Sequence, residues 1–173
     1  GPHDVGTIYT VRSGANVAQV ANGLRREGLI SNSRIFEYGV RAYRLENDLK
    51  AGEYEIAAGA SMKDIMDLLV EGKAILYPLT VVEGWTVHRA IEEIKANEFL
   101  TGDVPEELPP EGSLIADTQK FGRGTDRTEL IARMRAQQER LVSQIWEKRS
   151  PDLPIATIEE FVTLASIVEK ETG

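Results

Sequence analysis

The sequence predicts an α+β protein: a β-α-α-β module, followed by the first, mainly helical part of a second module of mixed α/β character. Three observations carry that class. A strand, a glycine and a capped helix recur three times before residue 90. After each cap the apolar spacing changes from alternation to steps of three and four, the change from a strand face to a helix face. Beyond residue 100 a break rich in Pro, Gly and acid gives way to two long helical patterns.

The three repeats are Tyr9-Thr10-Val11-Arg12-Ser13-Gly14-Ala15-Asn16-Val17, then Tyr54-Glu55-Ile56-Ala57-Ala58-Gly59-Ala60-Ser61-Met62, then Leu79-Thr80-Val81-Val82-Glu83-Gly84-Trp85-Thr86-Val87. Each has an apolar residue three before the glycine and an N-cap residue two after it. The glycine is free to take a positive φ and end the strand, and the cap oxygen accepts an orphan helix N–H. Gln19 and Asp64 stand three residues after their caps, as a capping box requires. Val17, Val20, Ala21 and Leu24 then share one face, as do Met62, Ile65, Met66 and Leu69, and Val87, Ala90, Ile91 and Ile94. The glycines lie 45 and 25 residues apart. With no fixed period, this is a reused supersecondary unit and not a solenoid.

Gly28-Leu29-Ile30-Ser31-Asn32-Ser33 separates the first helix from a second, whose apolar residues are Ile35, Phe36, Val40 and Tyr43. Ala51-Gly52-Glu53-Tyr54 then turns into a strand, so Thr7 to Ile56 reads β-α-α-β. Two strands alone are marginal. The next helix and the strand from Tyr77 to Val82 are expected to complete that layer, giving domains at 5–78 and 79–173. Thr101 to Gly112 reads as an exposed loop, Ser113 to Phe121 as irregular, and Gly122 to Asp126 as a turn. A long helix follows from about Arg127 to Lys148, with Leu130, Met134, Leu141, Ile145 and Trp146 apolar, and Pro151 and Pro154 end it. Thr157 with Glu160 opens a last helix, in which Phe161, Leu164, Ala165 and Val168 give an expected buried face.

Composition narrows the function. Of 173 residues, 20 are Lys or Arg and 28 are Asp or Glu, for a net charge of −8. Such a chain lacks the basic field that supplies most nucleic-acid affinity. Its 42% hydrophobic content is that of a globular domain. With no cysteine there is no disulfide, thiolate metal site or cysteine nucleophile. His3 and His88 are too few for a histidine-rich metal site. No run of ~18 apolar residues is present to span a bilayer. Gly1-Pro2-His3 has the look of a protease-cleavage remnant, and the C-terminal helix pattern stops abruptly, so a natural chain longer at both ends is expected.

Candidate chemistry sits in three places. Glu169 and Glu171 arrive abruptly after the apolar run Val162 to Val168. A carboxyl at the margin of a buried helix can have a raised pKa, which suits a general acid. The plainer reading is two solvated surface groups, since most Glu is exposed. Glu83 occupies a strand-to-helix turn, beside Trp85, and is either functional or an ordinary turn residue. Glu111 and Asp117, with Ser113 between them, place two carboxylates near an irregular segment. Paired carboxylates equip glycoside cleavage, although a loop with capping Asp and Ser explains them too. Asp126 is most simply an N-cap and His88 a surface residue. No Gly-rich phosphate loop is present.

Taken together, Leu79-Thr80-Val81-Val82-Glu83-Gly84-Trp85-Thr86, Pro110-Glu111-Gly112-Ser113-Leu114 with Asp117-Thr118, and Leu164-Ala165-Ser166-Ile167-Val168-Glu169-Lys170-Glu171-Thr172 resemble the successive motifs of the YceG-like (MltG) endolytic murein transglycosylases. The last motif is the most specific. The resemblance implies a first module that is LysM-like and binds glycans containing N-acetylglucosamine. It implies a second module that cleaves nascent peptidoglycan strands internally and leaves 1,6-anhydro-N-acetylmuramoyl ends. It implies a single-pass anchor in the bacterial inner membrane upstream of this chain, with the body in the periplasm, and peptidoglycan synthases as partners. The family's catalytic Glu maps onto Glu171, with Glu83, Glu111, Ser113, Asp117 and Glu169 as substrate-binding candidates. No metal or cofactor is implied. Ile115, Ala116 and Gln119 depart from the family's aromatic residue, Pro and Tyr. The family also continues well past the Glu-Lys-Glu-Thr helix, so the chain is expected to hold Glu171 without a working cleft. A non-catalytic glycan-binding or scaffolding protein of the cell envelope is the second reading. A protein-interaction module built on the long charged helix is a third.

Overall fold

The computed structural model describes residues 6–172. Gly1-Pro2-His3, read above as a cleavage remnant, and Gly173 lie outside the described residues. The chain divides into two compact units: one runs up to Leu76 and takes in Gly122–Gly124, and the other comprises Tyr77–Phe121 and the chain from Thr125 onward.

The first unit holds β1 (Thr7–Val11), α1 (Val17–Arg26), α2 (Ser33–Ala42), β2 (Gly52–Ile56) and α3 (Met62–Glu71). The two strands pair antiparallel from Thr7↔Ile56 to Val11↔Gly52. Alternation turns Tyr9 and Val11, with Tyr54 and Ile56, onto Leu24, Leu29, Val40, Ile65 and Leu69 of the core. Each fully buried side chain of this kind contributes roughly 2 kcal/mol by leaving water. Both buried phenols are satisfied: Tyr9 donates to the Val20 carbonyl at 3.0 Å and Tyr54 to that of Lys50 at 2.8 Å. Burial pushes the pKa of each above the usual phenol value.

The predicted caps are in place. Asn16 and Ser61 form capping boxes with Gln19 and Asp64, and Thr86 caps α4 (Val87–Ala96). The Ser61 hydroxyl and amide both donate to Asp64 and hold its carboxyl below the usual range. At their other ends α1 and α2 close alike. Gly28 has φ 73° and Arg44 has φ 58°, and Leu29 and Leu45 donate back to the carbonyls of Leu24 and Val40 at 2.9 Å.

The second unit contains all but the first residue of β3 (Leu76–Thr80), α4, β4 (Leu100–Thr101), all but the last residue of β5 (Thr118–Gly122), β6 (Thr125–Asp126), α5 (Arg127–Glu147) and α6 (Ile158–Thr172). β3 lies beside β5, and β4 runs parallel to β6 with Leu100↔Thr125 and Thr101↔Asp126. Leu79, Val81, Ile91, Ile94, Phe121, Leu130 and Met134 form its core. Asp126 caps α5, accepting from the amides of Thr128 and Glu129 and from the Thr128 hydroxyl, which holds its carboxyl below the usual range. Among the described residues no helix is long and apolar enough to cross a membrane.

Three expectations are overturned. The strand near Tyr77 does not complete the layer of β1 and β2; it pairs with β5, where Thr80 and Thr118 share a hydroxyl hydrogen bond at 2.8 Å and Leu79 enters the second core. The segment before Phe121 is not irregular throughout, because residues 118–122 form β5. Its alternation was hidden by a polar residue facing inward: Gln119 is buried and donates to Gln137 at 3.0 Å. The apolar face of α6 is not buried, with Leu164, Ile167 and Val168 exposed by 40, 54 and 52%.

Candidate active site

α6 begins as its sequence dictates. The Glu160 amide donates to the Thr157 hydroxyl at 3.2 Å, and Glu160 Oε2 accepts from the amide of Thr157 at 3.3 Å. Thr163 and Ser166 return their hydroxyls to the carbonyls of Glu159 and Thr163. Near its start the helix packs on α5 and on the Gly112 turn. Phe161 meets Trp146 of α5 with ring centroids 6.0 Å apart, and Val162 lies against Gly112. Glu171 is exposed and Glu169 half-buried at the far end. Nine residues separate Val162 from Glu171, a rise of roughly 13 Å.

Glu83, Glu111, Ser113 and Asp117 gather around the turn between β3 and α4. In that turn Trp85 N–H donates to the Val82 carbonyl at 3.2 Å, with Gly84 at φ 76° between them. The Glu83 carboxylate is exposed. Trp85 is half-buried, and the Arg89 guanidinium lies 4.4 Å from its ring centroid. Both oxygens of Glu111 accept from the amide of Val87, at 3.1 and 2.9 Å. A carboxylate there meets an orphan donor at the positive end of α4. Ser113 donates to the Pro110 carbonyl from its amide at 3.2 Å and its hydroxyl at 2.6 Å. Asp117 accepts the Thr118 amide at 2.6 Å on its side chain and the Val81 amide at 3.2 Å on its carbonyl; its side chain remains exposed.

The candidates therefore fall into two groups. Four surround one end of α4, and Glu169 and Glu171 share the last turns of α6. Among the described residues no hydrogen bond or ion pair joins the groups, and no three acidic or His side chains cluster as metal ligands would. The sequence placed Gly112 in a motif without giving it a role, and it gave no sign of Gln138. Gln138 of α5 donates to the Gly112 carbonyl at 2.9 Å, which ties the turn to a third helix. The signals for Gly112 were its place after Pro-Pro-Glu and in the motif Pro110 to Leu114; Gln138 gave none. Also unforeseen is a cleft of about 650 Å³ in the first unit, lined by Tyr9, Arg12, Gln19, Asn22, Arg26 and Glu27 among others.

Comparison with known proteins gives this arrangement its context. The endolytic murein transglycosylases of Streptococcus pneumoniae strains D39 and R6 are each 26% identical to this chain over 203 residues. The alignments take in 93% of this chain and 36% of each relative, so the chain spans about a third of their length. A crystal structure of a YceG-like protein from Listeria monocytogenes aligns over 98% of this chain and 65% of that one, at 21% identity and a TM-score of 0.43. The description of the YceG-like family matches residues 9–173, a stretch that takes in every candidate residue above. This chain belongs to the YceG-like family.

Proposed function

We propose that this chain is part of a lytic transglycosylase that cleaves nascent peptidoglycan strands internally and leaves 1,6-anhydro-N-acetylmuramoyl ends. The observation that carries the reading is Glu171, an exposed carboxyl in the last turn of α6, inside a family match that runs to residue 173. The naming of the two pneumococcal relatives supports it. One carboxyl suffices for the chemistry. As an acid, Glu171 gives its proton to the glycosidic oxygen leaving the muramoyl C1. As a carboxylate, it takes the proton of the muramoyl C6 hydroxyl while that oxygen bonds to C1. The proton count closes with no water consumed, unlike hydrolysis by two carboxylates. Glu83 and Asp117, exposed beside the α4 turn, and Glu169 contact the glycan. Glu111 and Ser113 have their side chains committed to the turn itself.

On this reading the first unit is a LysM-like glycan-binding module, the body lies in the periplasm below a single-pass inner-membrane anchor, and peptidoglycan synthases are partners. The 173 residues hold the reacting carboxyl but not the whole cleft, the relatives being almost three times the aligned length. The polar cleft between β1 and α1 favours a second reading, a peptidoglycan-binding module without catalysis.

The test digests purified peptidoglycan with three proteins: this chain, a protein carrying it at the length of its relatives, and that protein with Glu171→Gln. Mass spectrometry follows internal cleavage to anhydro ends. Activity in the longer unsubstituted protein alone is expected. If none of the three, each shown to be folded, produces such ends, the catalytic reading fails and the binding module takes its place.

A further inference from the structure

We infer that the turn Glu111–Gly112 positions Glu171, acting through α6; this rests on the transglycosylase reading above. The turn is held from two sides that do not include α6. Glu111 fixes it to the first amide of α4 by both carboxylate oxygens, and Gln138 of α5 holds the Gly112 carbonyl. Ser113, with its two hydrogen bonds to the Pro110 carbonyl, closes the loop around Gly112 at φ 74°.

α6 leans on that fixed point. A Cβ built on Gly112 would lie 2.6 Å from Cγ1 of Val162, roughly 1 Å inside ordinary carbon contact. The missing side chain is therefore what admits the helix. One residue away, where α6 packs on α5, Phe161 meets Trp146. From Leu164 onward the apolar side chains of α6 are exposed, so the direction of the helix is set at its start. Glu171, roughly 13 Å farther along the axis, inherits any displacement made at Gly112. A misplacement of ~1 Å in a reacting group costs up to ~100-fold in rate. Glu111 and Gly112 are thus positioning residues, and Val162 is their partner.

The experiment is a size exchange. Gly112→Ala, Val162→Ala, the double variant and Glu111→Gln are prepared, with Gly59→Ala as a control that places the same strain at φ 73° where the added Cβ would meet no atom within 4 Å beyond its chain neighbours. Amide exchange over α6 is measured in the 173-residue chain. kcat and KM for anhydro-end formation are measured in the protein of the relatives' length. Gly112→Ala is expected to lower kcat by ~10- to 100-fold with KM little changed and to speed exchange in α6. Adding Val162→Ala restores both. Glu111→Gln, which keeps one acceptor oxygen, lowers kcat less, and Gly59→Ala leaves it unchanged. The proposal is overturned if Gly112→Ala behaves like Gly59→Ala in exchange or kcat, or if Val162→Ala fails to rescue it. An unsubstituted protein that makes no anhydro ends sinks the transglycosylase reading instead, and the exchange measurement still decides whether the turn sets α6.

Discussion

Arg44 closes α2 in the backbone geometry with which Gly28 closes α1. The amides of Glu27, Gly28 and Leu29 donate to Gly23, Arg25 and Leu24, and those of Tyr43, Arg44 and Leu45 donate to Gly39, Arg41 and Val40, in the same order. Arg44 is the one non-glycine with positive φ among the described residues. A side chain in that region strains the backbone by about 1–2 kcal/mol, part of which glycine's greater freedom in the unfolded chain offsets. Arg44→Gly should therefore stabilise the protein by roughly 0.5–1 kcal/mol in urea unfolding, and Gly28→Arg should destabilise it by a similar amount. A loss of stability in Arg44→Gly would contradict the account.

Arg127 carries a larger load. Its guanidinium donates to the carbonyls of Ile94, Lys95 and Asn97 at the end of α4, and to that of Gly102. The Ile94 carbonyl also accepts the Asn97 amide at 3.3 Å, and Arg127 serves the carbonyls of the helix end that follow it. Arg127→Met should cost about 2–3 kcal/mol by chemical denaturation, because it leaves several acceptors unmatched. Arg127→Lys should recover under half of that, since an ammonium cannot reproduce the planar fork. Full rescue by Lys would mean that charge alone matters there.

The acid response follows from two capping carboxylates. Asp64 and Asp126 are held below the usual carboxylate range by Ser61 and Thr128 respectively. A carboxyl with a lowered folded pKa contributes in full above its unfolded value and loses that contribution as pH falls through the folded one. Helix content measured by circular dichroism should therefore decline below about pH 4, where unfolded Asp titrates. Asp126→Asn keeps a capping oxygen but has no proton to gain, so its decline should be shallower. Equal slopes for the two proteins would remove Asp126 from the explanation.

For the reaction, Glu171→Gln should lower anhydro-end formation by at least ~100-fold while glycan binding persists, because the amide can neither give nor take the proton. Glu83→Gln and Asp117→Asn should act mainly on KM. A Glu171→Gln protein that still made anhydro ends at the original rate would place the acid elsewhere.

What the sequence made legible was local. Each N-cap reads from its near neighbours in the chain, with a partner three positions on for Asn16, Ser61 and Thr157, so Thr86 and Asp126 were found as well. What escaped depends on distant chain. Glu111 meets Val87 across 24 residues, Thr80 meets Thr118 across 38, and neither pairing leaves a periodic trace. Gln119 misled because a buried polar residue reads as an exposed one until its partner Gln137 is seen. The site divides the same way. Apolar spacing suggested a buried α6 and so a desolvated carboxyl, but spacing identifies a face without identifying what lies against it. The geometry leaves Leu164, Ile167 and Val168 open and Glu171 exposed beyond them.

The two arginine–indole contacts have an optical consequence. Trp85 lies under Arg89 and Trp146 under Arg149, and these are the protein's two tryptophans, both in the second unit. Four of the five tyrosines, Tyr9, Tyr38, Tyr43 and Tyr54, belong to the first. Indole emission therefore reports on the glutamate-bearing unit alone, while tyrosine absorbance is weighted toward the other. The two halves of the molecule carry separate built-in dyes, and melting or ligand titration of each can be read with no label added.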